Sequence, residues 1–459
     1  MNELTAVNEA TEEASKNIIT EAAHETGEEP DFSPYSTNEA KKLFAVSEVF
    51  RNRIMCIKKT IKRVYPDLAS ERRKAREQLK ENIARFNESP LKKYEETELA
   101  QLIDMLIDYS TPFDDIFIRG MFLSIFSELD AFTEKYLTAL FELKPDAIIA
   151  NQKPFAASEI FDCDSIEDFK KKVIQKEIDA LKRGSYIEQV SFLEKTFNIE
   201  TLRKFSNWGK YVEITQRRNI VVHNDGIISE QYVKICGNNN AKCDTRVGQK
   251  PKLSYNYLME AISIIEEVSI KLTQTLWRKC FPEEAFIKEF DDILNGTIFS
   301  VLSDGEWSLA KELGEYGYYT ARTKSAECKM MILVNYCIAL NNLDERSKVE
   351  DLLRNTDFSI IDKEFVLAKF ALLNDVENTI KLMTKIGTGG TFFNKETYPS
   401  FPLFSEIKKE KSFRDTYKAL FGEDIDREEI KARITEAEKS EEENQEITSD
   451  MSDSARLLT

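Results

Sequence analysis

The stretch IRGMFLSIFSELDAFTEKYLTALFEL, residues 118–143, decides the fold class. Ile118, Phe122, Ile125, Leu129, Phe132, Tyr136, Ala139 and Leu143 recur there at alternating four- and three-residue spacing. That period lines them along one face of an α-helix, as in the seam of a bundle or of a dimer. Pro145 cannot continue the helix and ends it. Elsewhere in the 459 residues Gly and Pro are few, cations are spread through segments of helical period, and β-branched alternation is scarce. An all-α protein of two or three domains is expected.

N-terminal to this stretch, Asn38 to Arg63 and Ser70 to Arg85 read as two helices broken by Tyr65-Pro66-Asp67, with Ser70 suited to cap the second. The cations from Arg51 to Arg85, Lys58 among them, face only Asp67, Glu71, Glu77 and Glu81. Such a face is either a solvated helix surface or one that attracts phosphate backbones. On the C-terminal side, short pieces such as Ile166 to Leu181 alternate with loops and read as an insertion at about 144–200. A second long helix, Ser254 to Cys280, starts at a capping serine and carries Leu258, Ile262, Ile265, Leu272 and Leu276 on one face.

From Glu284 the pattern changes to short helices: Trp307 to Tyr319, Lys329 to Leu340, Glu345 to Arg354, Lys363 to Leu373 and Asp375 to Ile386. Small residues such as Ala339, Ala368 and Ala371 stand where these would cross, and in architecture the region resembles tetratricopeptide-type helical hairpins. Phe401 to Ile407, followed by Phe413, looks like the helix that closes such arrays. Gly387-Thr388-Gly389-Gly390 lacks the Lys-Ser/Thr of a phosphate loop and is read as a connection. The expected layout is an acidic disordered tail at 1–35, a helical region at 36–110, a central bundle at 111–282, the hairpins at 283–422 and a second acidic tail at 423–459.

The net charge of −17 is concentrated at the two ends. Nine acids against Lys16 precede Phe32, thirteen acids against five cations follow Gly422, and the part between is close to neutral, so the total does not exclude a nucleic-acid partner. The N-terminal Met1-Asn2-Glu3-Leu4 lacks the regions of a signal peptide, and no apolar run has the length of a membrane span, so a cytoplasmic location without membrane contact is expected. The seven scattered cysteines read as reduced core thiols. Cys236 and Cys243 flank a short loop, but no second pair or nearby histidine completes a tetrahedral metal site, and neither metal nor cofactor is expected.

Chemistry that needs an imidazole has one home. His24 lies in the acidic tail, whereas His223 ends the run Gln216-Arg217-Arg218-Asn219-Ile220-Val221-Val222-His223-Asn224-Asp225-Gly226. The segment from Trp208 fits a helix ending near His223, with Gly226 placed for a left-handed C-terminal turn. Asn219 and His223 share a face, while Arg218 and His223 stand about 140° apart around the axis. A pocket using both must straddle the ridge or draw on a second copy. The bland alternative is a histidine that caps the helix dipole beside an arginine paired with Asp225 or another carboxylate.

Arg218-Asn219-x-x-x-His223 resembles the Arg-x4-6-His motif of HEPN domains, and the resemblance covers roughly Thr111 to Phe281, with the insertion as a departure. It implies a dimerising helical bundle and a metal-independent endoribonuclease, of the kind found in toxin and anti-phage systems. Arg218, His223 and Asn219 would be catalytic and Arg217 an outer phosphate contact, RNA the substrate, and a homodimer the working form. The C-terminal hairpins would then bind a protein partner. Since inactive members also exist, a non-catalytic HEPN-like dimerisation and protein-interaction module remains the alternative.

Overall fold

The computed structural model describes residues 38–88, 113–149, 155–243, 246–358 and 362–425, and among them every regular element is helical. The acidic tails lie outside the described residues, apart from 423–425. Two compact units divide at Thr273/Gln274.

In the first unit, α1 (Asn38–Glu88) packs along α2 (Phe113–Leu143). Leu43, Phe50, Ile54 and Ile61 recur at helical spacing and are buried, with the Phe50 and Phe132 rings stacked at 4.4 Å. Each such side chain contributes about 1.5–3 kcal/mol of burial. The α2 seam is buried from Ile118 to Ala139, with Leu143 half-buried. Of the two seams that its spacing allows, this face forms that of a bundle, because its cover comes from the same chain.

The expected break at Tyr65-Pro66-Asp67 is also corrected: α1 runs through Pro66, and Ser70 lies inside the helix instead of capping a new one. Proline removes the donor to the Lys62 carbonyl, but packing on either side outweighs the loss. Ile61 is buried and Tyr65 stacks on Tyr255 at 4.8 Å. Lys58 does not belong to the solvated basic face. It falls on the apolar face one turn after Ile54, is 6% exposed, and donates to Glu266 Oε2 at 2.7 Å.

The insertion forms α3 (Asp146–Ile149), α4 (Ala157–Phe161), α5 (Ile166–Lys182) and α6 (Tyr186–Phe197). It packs onto the bundle through Ile174, Ile178 and Tyr186. Then follow α7 (Trp208–His223), α8 (Glu230–Asn238) and α9 (Tyr255–Cys280). Ser254 caps α9 as expected, accepting from the Tyr257 N–H at 3.1 Å.

The second unit contains α10 (Glu284–Ser303), α11 (Trp307–Glu315), α12 (Ala326–Asn342), α13 (Arg346–Arg354), α14 (Lys363–Leu372), α15 (Val376–Ile386), α16 (Thr397–Ser400) and α17 (Lys411–Phe421). α11 pairs with α12 and α14 with α15, as hairpins should. Ala339, Ala368 and Ala371 are buried, and a Cβ at Gly314 would come within 2.8 Å of Tyr336 Cβ, so this crossing depends on a residue without a side chain. Phe401 to Ile407 is not one helix. Pro402 opens a short 3₁₀ turn, a second follows at Ile407–Lys409, and only α17 closes the unit.

Asp291 and Asp292 lie in the middle of α10. Asp291 is fully buried, pairs with Arg278 at 2.7 Å and accepts the Lys324 and Ser325 N–H groups. The glycine run at 387–390 connects α15 to a loop whose Thr391, Phe392 and Phe393 N–H groups all point at the buried Glu364 carboxylate.

Candidate functional site

α7 carries the motif, and its burial is lopsided. Tyr211 to Gln216, Ile220 and Val221 are buried, Arg217, Arg218 and Asn219 half-buried, and Val222, His223, Asn224 and Asp225 exposed. The helix is anchored through Glu213, whose carboxylate accepts from the Tyr232 hydroxyl at 2.5 Å, the Tyr257 hydroxyl at 2.7 Å and Arg217 Nε at 2.8 Å. The Arg217 guanidinium also lies 4.6 Å over the Tyr257 ring. Arg217 is thus held against the body of the bundle, and the structure does not bring it together with Arg218 or His223 as an outer phosphate contact.

Arg218 points elsewhere. Its Nη1 donates to Asn219 Oδ1 at 3.3 Å, and its Nε is buried without a hydrogen-bond partner. The Tyr186 hydroxyl, supplied by the insertion, donates to Asp130 Oδ1 at 2.7 Å. Burial and the Asp130 carboxylate push that phenol far above the ordinary tyrosine value, while the Arg218 charge acts in the opposite sense. The guanidinium is therefore within electrostatic reach of the Asp130–Tyr186 pair. Asp225 is not its partner.

His223 is the last residue of α7 and has no hydrogen-bond or ion-pair partner among the described residues. The chain then turns back through Asp225 at φ +48° and Gly226 at φ +78°, with the Gly226 N–H bonded to the Ile220 carbonyl at 2.8 Å. The left-handed turn expected at Gly226 is present. Two cations close this end. Arg119 of α2 donates to the Val221 carbonyl at 2.5 Å and to Asp225 Oδ1 at 3.2 Å, and Lys250 donates to Asp225 Oδ2 at 3.0 Å. These hydrogen bonds, that of Lys250 first, hold the Asp225 carboxyl below the ordinary aspartate value.

Arg119, Lys250, Asp130 and Tyr186 went unnoticed in the sequence. Arg119 offered one signal: it is the lone cation between Phe113 and Thr133, and such a charge in an apolar run needs a partner. Exposed apolar side chains flank the same ends of α2 and α7, namely Ile116 one turn before Arg119, Val222 and Ile227.

No family model, curated protein or solved structure matches this chain. Among the described residues no group of three or more His, Cys, Asp or Glu side chains could hold a metal ion, and no helix is long and apolar enough to cross a membrane. Cys236 is buried, and burial, with Cys243 adding to it, pushes its thiol up to about 12, which leaves it a poor nucleophile at neutral pH. Four cysteines are core thiols as expected, but Cys56 is exposed and Cys163 and Cys243 are half-buried.

Proposed function

We propose that this protein is a metal-independent endoribonuclease whose site combines Arg218 and Asn219 of one copy with His223 of a second. The observation that carries the reading is the state of His223: exposed, without a described partner, at a helix end braced by Arg119. Arg218 sits on the same helix with its guanidinium turned toward Asn219. An arginine and an imidazole that diverge around one helix axis suit a composite site. The exposed Ile116, Val222 and Ile227 offer apolar surface for the second copy.

In that site His223 takes the proton of an RNA 2′-hydroxyl as its oxygen attacks the adjacent phosphorus. Arg218, a permanent planar cation, holds two non-bridging oxygens as charge builds on the phosphorane. The P–O5′ bond breaks, the leaving oxygen takes a proton, and the products are a 2′,3′-cyclic phosphate and a 5′-hydroxyl. Asn219 positions the guanidinium by its 3.3 Å contact.

The test is cleavage of single-stranded RNA in EDTA. Wild type is expected to cut, and Arg218→Ala and His223→Ala to lose at least about 100-fold in rate while melting as wild type does. Equal cutting by all three, or dependence on added metal, would overturn the reading. A second reading, a dimerising module without turnover, draws on the same exposed Ile116, Val222 and Ile227, which serve association whether or not RNA is cut. It gains if wild type dimerises and yields no fragments.

A further inference from the structure

The segment between α8 and α9 contains RVGQKPK, residues 246–252, and its placement beside His223 is determined by several contacts. The Ile228 N–H donates to the Gln249 carbonyl and the Gly248 N–H to the Ile228 carbonyl, both at 2.9 Å. The Gln249 N–H closes a tight turn on the Arg246 carbonyl at 3.1 Å, and the Gln249 side chain accepts from the Arg246 N–H at 2.9 Å. Lys250 reaches back to Asp225, its stem passing over Gly226 so that a Cβ there would stand 3.3 Å from Lys250 Cε. Backbone pairing, a turn and an ion pair therefore pin this loop to the residues that follow the motif.

What the pinning leaves outward is positive. The Arg246 and Lys252 side chains are exposed and have no partner among the described residues, and Pro251 restricts the backbone between the two lysines. Arg119 and Lys250 bind Asp225 just past the end of α7, and the turn that carries Arg246 is paired to Ile228. Among the described residues, the carboxylates close to these cations in sequence or bonded to them are Asp225, already shared by two cations, Asp115 one turn before Arg119, and Glu230 at the start of α8. In a chain of net charge −17, a cationic surface held in place by main-chain bonds suits a polyanion.

We propose that the loop 246–252 is the track that holds the phosphate backbone of RNA beside the Arg218/His223 site, with Arg246 and Lys252 as its direct phosphate contacts. This rests on the ribonuclease reading for the identity of the polyanion, but its measurement does not require cleavage. The two residues act in binding and not in the chemical step.

The test uses the full chain and a single-stranded RNA blocked by 2′-O-methyl groups, titrated by fluorescence anisotropy in EDTA across a salt series. Wild type is expected to bind with a steep salt dependence. In Arg246→Ala/Lys252→Ala affinity should fall at least about tenfold, and the slope of log K against log salt should shrink by about 1.4, the release from two single-strand phosphate contacts. On cleavable RNA the same variant should raise KM and leave kcat near wild type. Unchanged affinity and slope in the variant would overturn the track, while His223-dependent cutting by wild type would keep the ribonuclease reading intact. Affinity lost with the pair in a protein that never cuts RNA supports the track and sinks the ribonuclease. Salt-dependent binding of polyglutamate, with no binding of the blocked RNA, overturns the track in favour of an acidic protein partner.

Discussion

Asp225 holds the end of the motif helix together. It adopts a left-handed backbone conformation, accepts from Arg119 and Lys250, and keeps the turn after His223 closed. Because its folded value is depressed, the clasp is complete above the ordinary aspartate value, near 3.9, and is lost only as pH falls through the lower folded value. A carboxyl-detected NMR titration should place Asp225 below that ordinary value in wild type and return it there in Arg119→Met/Lys250→Met; an identical midpoint in both proteins would refute the clasp. That Arg218, Asn219 and His223 share one helix could be read from sequence, because they lie within one helical turn and a half of each other. The placement of Arg119, Tyr186 and Lys250 beside that helix could not, since each comes from a different element and no spacing links it to the motif; Arg119 stood out only as a lone cation in an apolar run.

The elements were legible wherever period alone decided them. The α2 seam and the short helices of the second unit repeat their apolar positions, α2 stops before Pro145, and α12, α14 and α15 begin at the capping residues Ser325, Asp362 and Asp375. Pro66 misled because a local rule about donors was weighed without the tertiary contacts that override it. Glu213 explains how α7 keeps its orientation: one carboxylate, about 10% exposed, gathers Arg217, Tyr232 and Tyr257 from three helices. Glu213→Ala leaves Arg217 without its counter-charge and two buried hydroxyls without an acceptor. A loss of about 3–5 kcal/mol is expected, read as a fall in the urea midpoint. A change under about 1 kcal/mol would mean that water replaces the carboxylate. The identity of the α2 cover was not legible, since a seam for an intramolecular partner and one for a second copy have the same spacing.

At the scale of the whole molecule, the proposed division of labour between two copies can be tested directly. If one site takes Arg218 from one chain and His223 from the other, a mixture of Arg218→Ala and His223→Ala proteins re-forms one intact site in each mixed dimer. Equal mixing with free exchange should restore about a quarter of wild-type cleavage. Neither variant should cut alone, and no recovery despite subunit exchange seen by energy transfer would exclude the composite site. The ion pair between Lys58 and Glu266 has a further consequence, in time. Its partners are 208 residues apart along the chain, which at about 5–20 residues per second is roughly 10–40 s of synthesis. When Lys58 leaves the ribosome, the Glu266 carboxylate that it meets in the core has yet to be translated. Lys58 therefore waits for that counter-charge until α9 emerges, whereas Leu43, Phe50, Ile54 and Ile61 of the same face can pack against α2 as soon as residues 113–143 are out.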